Sequence, residues 1–440
     1  LRDLVRSARG LAASDFVRHG LLVFAASMSI NILGYAFHFA ISRRIGVEQY
    51  GVLSALNAAF MISSMLGAIG GTVVVKYAAE FRATDSREHL AALVQKLTLY
   101  GIAGAAAVMV LLVAASPLIA TYLKIANVPA VALTMVVIGI SVATPCLRGV
   151  MTGTEDFTRY SISIVIESSI KAVAGVGLVY AGFGVDGAFA GWACGSIVAL
   201  AYTAIVLGRR YRRVPGAALY IDFRRLWRTT GNVALASVLL SLIGYADVLV
   251  VKHFADPTTA GLYGALSLSG KILLFLVSFI PTVLLPKATR QAIGGSSPIR
   301  VFLQALALSV AMSSAGLTFY YFFPALVVTS LAGSSFAPAA PYVFAYAFAT
   351  VLLAGLNIVV MYKIGIHRFD FLAPVALCAV GEVAGISVHH QTLSDVIAVL
   401  IVGNGLALVG AAYKVTAPLQ SRAAVPAPPS EGSAATPDAA

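Results

Sequence analysis

Charge is what this chain has least of. Only 11% of its 440 residues are Asp, Glu, Lys or Arg, against roughly a quarter in a soluble domain. With 59% hydrophobic residues and a mean hydropathy of +0.90, the deficit excludes a soluble globular fold. Cysteine is scarce too. Cys146, Cys194 and Cys378 fall in or beside apolar runs, lack metal-site spacing and read as buried inert thiols. No metal site is expected. No glycine-rich loop leads into Lys-Ser or Lys-Thr, so direct use of a nucleoside triphosphate is not indicated and no cofactor is expected. The outer connections between apolar runs are short and leave no room for a catalytic domain there, which counts against a membrane-embedded enzyme. The net charge of +12 would suit nucleic acid, but the basic residues come in short bursts between apolar runs, so no nucleic-acid partner is expected.

What is present is a succession of hydrophobic runs. A bilayer core about 30 Å thick takes roughly 20 residues of helix. By that measure spans lie near 20–41, 51–76, 92–115, 129–151, 160–181 and 187–208. Six more follow near 231–254, 261–286, 301–323, 338–362, 370–388 and 393–414. The first run is too long for the apolar part of a cleavable signal, so none is expected. Nearly all Lys and Arg fall on one side of this scheme; only Arg43, Arg44, Lys124 and Lys252 fall on the other. By the positive-inside rule both termini are then cytoplasmic. The stretch "GRRYRRVPGAALYIDFRRLWRTTG" divides the spans into two sets of six and reads as a basic anchor on the inner leaflet. The organisation is a first lobe (1–208), a cytoplasmic basic linker (209–230), a second lobe (231–415) and a Pro/Ala/Ser-rich tail (416–440) expected to be disordered.

The two sets repeat one another. "SRRIGVEQYGVLSAL" in the first and "VKHFADPTTAGLYGALSL" in the second each place a cation at a span end, then a polar turn, then Tyr-Gly opening the next span. The Tyr-Gly pairs are Tyr50-Gly51 and Tyr263-Gly264. Six spans per set preserve orientation, so the repeats are parallel, a layout in which transporters commonly run the substrate path between lobes. These stretches, with "YADVLVVKHF" and "VLLPKATRQ", resemble the oligosaccharide (polysaccharide) flippase family of the multidrug/oligosaccharidyl-lipid/polysaccharide exporter superfamily. The resemblance implies an all-α polytopic membrane protein of about twelve helices, in two six-helix lobes around a central cavity. It also implies alternating-access passage of a polyisoprenyl-diphosphate-linked oligosaccharide from the inner to the outer leaflet of a bacterial cytoplasmic membrane. Glycan polymerase and glycosyltransferases are the partners it suggests, beside the lipid-linked glycan and membrane lipids.

Charges inside spans are costly, about 2.5–3.5 kcal/mol each on insertion scales, and usually face a bundle interior or a wet cavity. Glu167 and Lys171 are one helical turn apart in "IESSIKAV". Two readings stay open: a self-neutralising pair against a neighbouring helix, or a cavity-lining Lys171 that meets a diphosphate while Glu167 holds it or carries a proton. Asp247 and Lys271 fall at similar depth on successive spans and offer a mirrored cross-helix pair. Lys171, Lys271, Arg43, Arg44 and Lys252 are therefore the expected cavity cations, with Arg43 and Arg44 read alternatively as snorkelling anchors or an outer gate. Glu167, Asp247 and Glu382 are the coupling or ion-pair acids, and Asn31, Asn57 and Asn357 the polar cavity residues. Asn404 and His38 read as interhelical contacts. A cationic cavity suits an anionic diphosphate and suits a lipophilic cationic drug poorly. A cation-coupled multidrug exporter of the same superfamily is the alternative, and a membrane-embedded lipid-linked sugar transferase the alternative of another class. A general twelve-span facilitator fits less well, because "KYAAEFRATDSREHLAALVQK" lacks the Gly-x-x-x-Asp-Arg-x-Gly-Arg pattern common there.

Overall fold

The computed structural model describes residues 15–211, 223–293 and 297–416. The core of the basic linker and the tail lie outside the described residues. Among the described residues, nine helices are long and apolar enough to cross a membrane. The longest, α1 (Asp15–Ala83), has 69 residues. At 1.5 Å per residue that is about 100 Å, three times the bilayer core. It folds back at Gly46, whose φ of 76° and ψ of 175° few side chains other than glycine's would adopt. One apolar stretch runs likewise through α6 (Phe157–Leu178) and α7 (Gly184–Arg210), turning at Gly182 and Gly184, both at positive φ. With the two folded stretches counted twice and the shorter apolar helix Leu372–Val388 added, the described residues supply twelve apolar segments, at the places the hydropathy ruler set them.

The remaining elements are α2 (Arg87–Lys96), α3 (Ile102–Ala114), the short α4 (Ser116–Tyr122) and α5 (Val128–Gly153) in the first lobe. The second lobe holds α8 (Phe223–Phe254), α9 (Pro257–Val277), α10 (Phe279–Ile293), α11 (Ile299–Phe322), α12 (Pro324–Ala332), α13 (Ala340–Gly365), α14 (Leu372–Val388) and α15 (Leu393–Ala412). Their starts are encoded locally. Asn127 accepts from Ala130 N, Asp156 from Arg159 N and Asp256 from Thr259 N, while Thr392 and Asp395 form a reciprocal capping box. Pro129 and Pro257 sit in first turns, where a missing N–H goes unnoticed. In the eighth crossing, α9 gives way to α10 at Ser278, just ahead of Pro281, which cannot donate to the preceding turn.

Packing then decides the shape. In the first lobe the second arm of α1 lies tight on α5. A Cβ at Gly67 would stand 2.0 Å from Ser141 O, and one at Gly71 2.8 Å from Pro145 O. The lobes meet through α1 against α8 and α9. One buried cluster, from Ile41 and Tyr50 to Tyr263 and Phe336, is shared by both lobes. Toward the other end the core splits into two, one within the first lobe around Val74 and Leu147, one within the second around Leu284 and Tyr362. The molecule is therefore sealed at the end carrying Gly46 and Asp256. At the end carrying Arg82, Arg210 and Lys363 each lobe has its own core.

At that second end, short polar latches tie each lobe to itself. Asp156 pairs with Arg159 at 2.6 Å and with Arg210, and Arg82 pairs with Glu155 at 2.9 Å. Lys363 is wholly buried and donates to Asp370 Oδ1 (2.9 Å) and Tyr413 O (2.6 Å). Asp370→Ala strands that buried ammonium, so a loss of about 3 kcal/mol is expected. It would be read as a lowered unfolding temperature in detergent, and Lys363→Met should lose less.

Candidate functional site

Between the lobes, on the sealed side of the molecule, lies a cavity of about 210 Å³. Both lobes wall it. Asn31, His38 and Asn57 reach it from α1, Lys171 from α6, Tyr245 from α8 and Lys271 from α9. The two intramembrane lysines that the sequence set in different lobes thus border one space.

Neither lysine is neutralised by its expected partner. Glu167 turns to α5, where Arg148 Nη2 lies 2.8 Å from its Oε2, and Ser196 Oγ donates to its Oε1 at 2.9 Å. The self-neutralising Glu167–Lys171 pair is therefore not formed, because Arg148, offering a planar charged donor, takes the carboxylate first. Lys171 Nζ sits instead 3.4 Å from the Trp192 ring centroid and 4.9 Å from that of Phe37. Nor is the Asp247–Lys271 pair formed. Asp247 Oδ2 accepts from Tyr263 Oη (2.6 Å) and Tyr346 Oη (3.0 Å), two hydroxyls that sequence reasoning did not assign. Lys271 Nζ donates to Ser267 Oγ at 2.7 Å and lies 4.0 Å from the Tyr245 ring centroid. Among the described residues no carboxylate lies within 4.0 Å of either ammonium. Each lobe thus presents one ammonium cushioned on an aromatic face, an interaction worth about 2 kcal/mol when desolvated. That cushion leaves the N–H donors largely available to an anion.

The rest of the wall can also donate. Tyr50 Oη bonds His38 Nδ1 at 3.2 Å, and Tyr35 Oη is buried with no partner. Tyr50 and Tyr263, the repeated tyrosines, play the same part in their lobes, each reaching back to a polar residue of the preceding span, His38 or Asp247. Arg148 should matter for stability. Arg148→Ala leaves Glu167 half-paired inside the lobe and is expected to lose about 3 kcal/mol. The double variant Arg148→Met with Glu167→Leu should recover most of it, read as detergent unfolding temperatures.

The other expected residues fall elsewhere. Arg43, Arg44 and Lys252 do not line the cavity. They stand at span ends, and of the five expected cations only Lys171 and Lys271 border this cavity. Arg43 reaches across to the opposite lobe, donating to the carbonyls of Leu331, Thr329 and Ser330 at the C-terminus of α12, with its guanidinium 3.6 Å over Phe39. A cation at a helix C-terminus is favourably placed against the macrodipole. The reciprocal contact comes from His253, which stacks on Tyr122 and bonds the Tyr122 carbonyl at the end of α4. Arg44 is exposed and Lys252 buried. Asn357 donates to Leu353 O in its own helix and does not border the cavity. Asn404 donates to Ala349 O, an interhelical bond as read. Glu382 is buried, with Oε2 unpartnered, on a space of about 580 Å³ between α14 and α15.

A family model described as polysaccharide biosynthesis protein matches residues 16–291. No curated protein matches the chain. Among solved structures, an inward-facing multidrug resistance MATE family transporter of the MOP superfamily superposes with a TM-score of 0.73 at 16% identity, over 88% of this chain and 95% of that one. The lipid II flippase MurJ, inward closed, gives 0.68 at 12% identity, over 91% and 87%. An outward-facing MATE family transporter of the MOP superfamily gives 0.61 at 17% identity, over 89% and 93%. At these identities the likeness is one of fold.

Proposed function

The chain belongs to the polysaccharide biosynthesis protein family, and from that premise we propose that it is a flippase. Its cargo is a polyisoprenyl-diphosphate-linked oligosaccharide, carried from the inner to the outer leaflet of a bacterial cytoplasmic membrane for surface polysaccharide assembly. The observation that carries this reading is the pair Lys171 and Lys271, one from each lobe, bordering a single cavity with no carboxylate bound to either. Two ammonium groups on one cavity offer a charged donor for each phosphate of a diphosphate, and charge-assisted hydrogen bonds are the stronger class. His38, Asn31, Asn57 and Tyr35 supply further donors around it.

Movement follows from the split core. With the basic end in the cytoplasm, as the Lys and Arg distribution indicates, the sealed end faces outward and the structure is the form that loads from inside. Opening outward requires the Arg43 and His253 clasps to part and the two separate inner cores to meet. Asp247 and Glu382, buried acids in the second lobe, are the residues we assign to coupling. Export of a cationic drug would need acids facing the cavity, and neither of these is on its wall. Glycan polymerase and glycosyltransferases are the expected partners.

The test is translocation by the purified chain in proteoliposomes, using a fluorescent polyprenyl-diphosphate oligosaccharide. Wild type should move it to the opposite leaflet. Export of cationic dyes without glycan movement would favour the exporter, and product formed from a sugar donor would favour the transferase.

A further inference from the structure

Lys271 has a second outlook. Behind it, inside the second lobe, is a small space of about 10 Å³ bordered by Asp247, Lys271, Tyr346, Thr350 and Asn404. That is room for about one water molecule. Lys271 therefore forms part of the wall between this space and the central cavity. Asp247 is 2% exposed and well anchored on one side only. Its Oδ2 takes both tyrosine hydroxyls, whereas its Oδ1 has no partner. An anchored carboxylate with a free oxygen and an ammonium held only by a hydroxyl and a ring thus border the same small space.

We propose that Lys271 has two positions and that Asp247 is a built-in competitor for it. With the central cavity empty, Lys271 serves as counter-ion to Asp247 across the one-water gap. An anionic headgroup in the central cavity draws it over, and the pull of Asp247 then helps the headgroup leave. The long flexible lysine stem permits the exchange. Selectivity follows, because a diphosphate competes with a carboxylate for an ammonium more strongly than a monophosphate does. The first lobe lacks the device. There Glu167 has both oxygens occupied by Arg148 and Ser196, so nothing competes for Lys171.

This inference rests on the reading that the cavity takes a diphosphate, and the experiment separates the two. Geranyl diphosphate and geranyl monophosphate are titrated onto the full chain in nanodiscs. Lys171→Ala and Lys271→Ala should each weaken diphosphate binding at least tenfold; if neither does, the flippase reading of the cavity fails and this inference with it. Asp247→Asn, which keeps acceptors for both tyrosines, should tighten diphosphate binding several-fold and narrow the preference over monophosphate. Combined with Lys271→Ala it should have no further effect. Tyr346→Phe, which strips a donor from the carboxylate and makes it need Lys271 more, should weaken binding a few-fold. A purely structural Asp247 would give losses in both variants. If Lys271→Ala weakens binding while Asp247→Asn leaves it unchanged or weaker, Asp247 is no competitor. Should Asp247→Asn fail to fold, Tyr346→Phe is measured in the Lys271→Ala background: a competitor that acts through Lys271 gives no further loss there, whereas a further loss would overturn the proposal.

Discussion

Replacing Lys171 and Lys271 together by alanine is expected to abolish glycan translocation while the protein still folds. A charge-assisted hydrogen bond contributes about 1.5–3 kcal/mol net, so each single variant should lose roughly 10- to 100-fold in substrate affinity. The residues sit on different helices in different lobes, and their losses should nearly add. Folding should survive because neither ammonium is in an ion pair among the described residues; each forfeits a ring contact, and Lys271 also its bond to Ser267. Arg148 is the contrast, since its loss acts on stability through Glu167. The measurement is leaflet transfer in proteoliposomes beside thermal unfolding of the same preparation. Wild-type transfer by the double variant would overturn the cationic-cavity mechanism.

The second large effect is expected at the sealed end, where the repeated Tyr-Gly segments pack on each other. A Cβ at Gly261 would stand 2.0 Å from Val47 O, and one at Gly51 2.8 Å from Gly261 N. At that separation no side chain fits and the backbones must part. Gly261→Val should therefore hold the sealed end, outward in the proposed orientation, open and stop the proposed transport, because alternating access needs both ends to close in turn. With Asn57→Cys as reporter, a membrane-impermeant maleimide applied outside should label the Gly261→Val chain several-fold faster than its parent. Arg43→Ala and His253→Ala should shift labelling the same way by smaller factors, since each removes one clasp and leaves the apolar seal. Unchanged labelling with normal transport in Gly261→Val would show that this contact is not the gate.

Much of the architecture was legible in the sequence, for a physical reason. Every buried backbone group in a bilayer must bond within its own helix, so apolar length alone places the crossings. Hence the spans fall where the hydropathy ruler put them, with Gly46 supplying the reversal between the first two. The repeat was legible too, and Tyr50 and Tyr263 prove to be equivalent pieces of wiring.

The partners of the buried charges were not legible. The i, i+4 spacing of Glu167 and Lys171 put them on one face, but a carboxylate goes to whichever donor the neighbouring helices bring nearest. Arg148, to which the sequence pattern assigned no partner, reaches Glu167 from α5. Tyr346 lies 99 residues from Asp247 and carried no local signal. Arg43 was open between anchor and gate until α12 of the other lobe was seen to offer its carbonyls.

The sequence by itself determined that the chain is a twelve-crossing membrane protein of two repeats, because solvation in lipid acts on each segment separately. Only the tertiary structure decided that Lys171 and Lys271 share a cavity, that Glu167 and Asp247 are held by other groups, and that one end is sealed. Those outcomes depend on the rotation of each helix about its axis and on close approach between segments far apart in the chain, which no local pattern encodes.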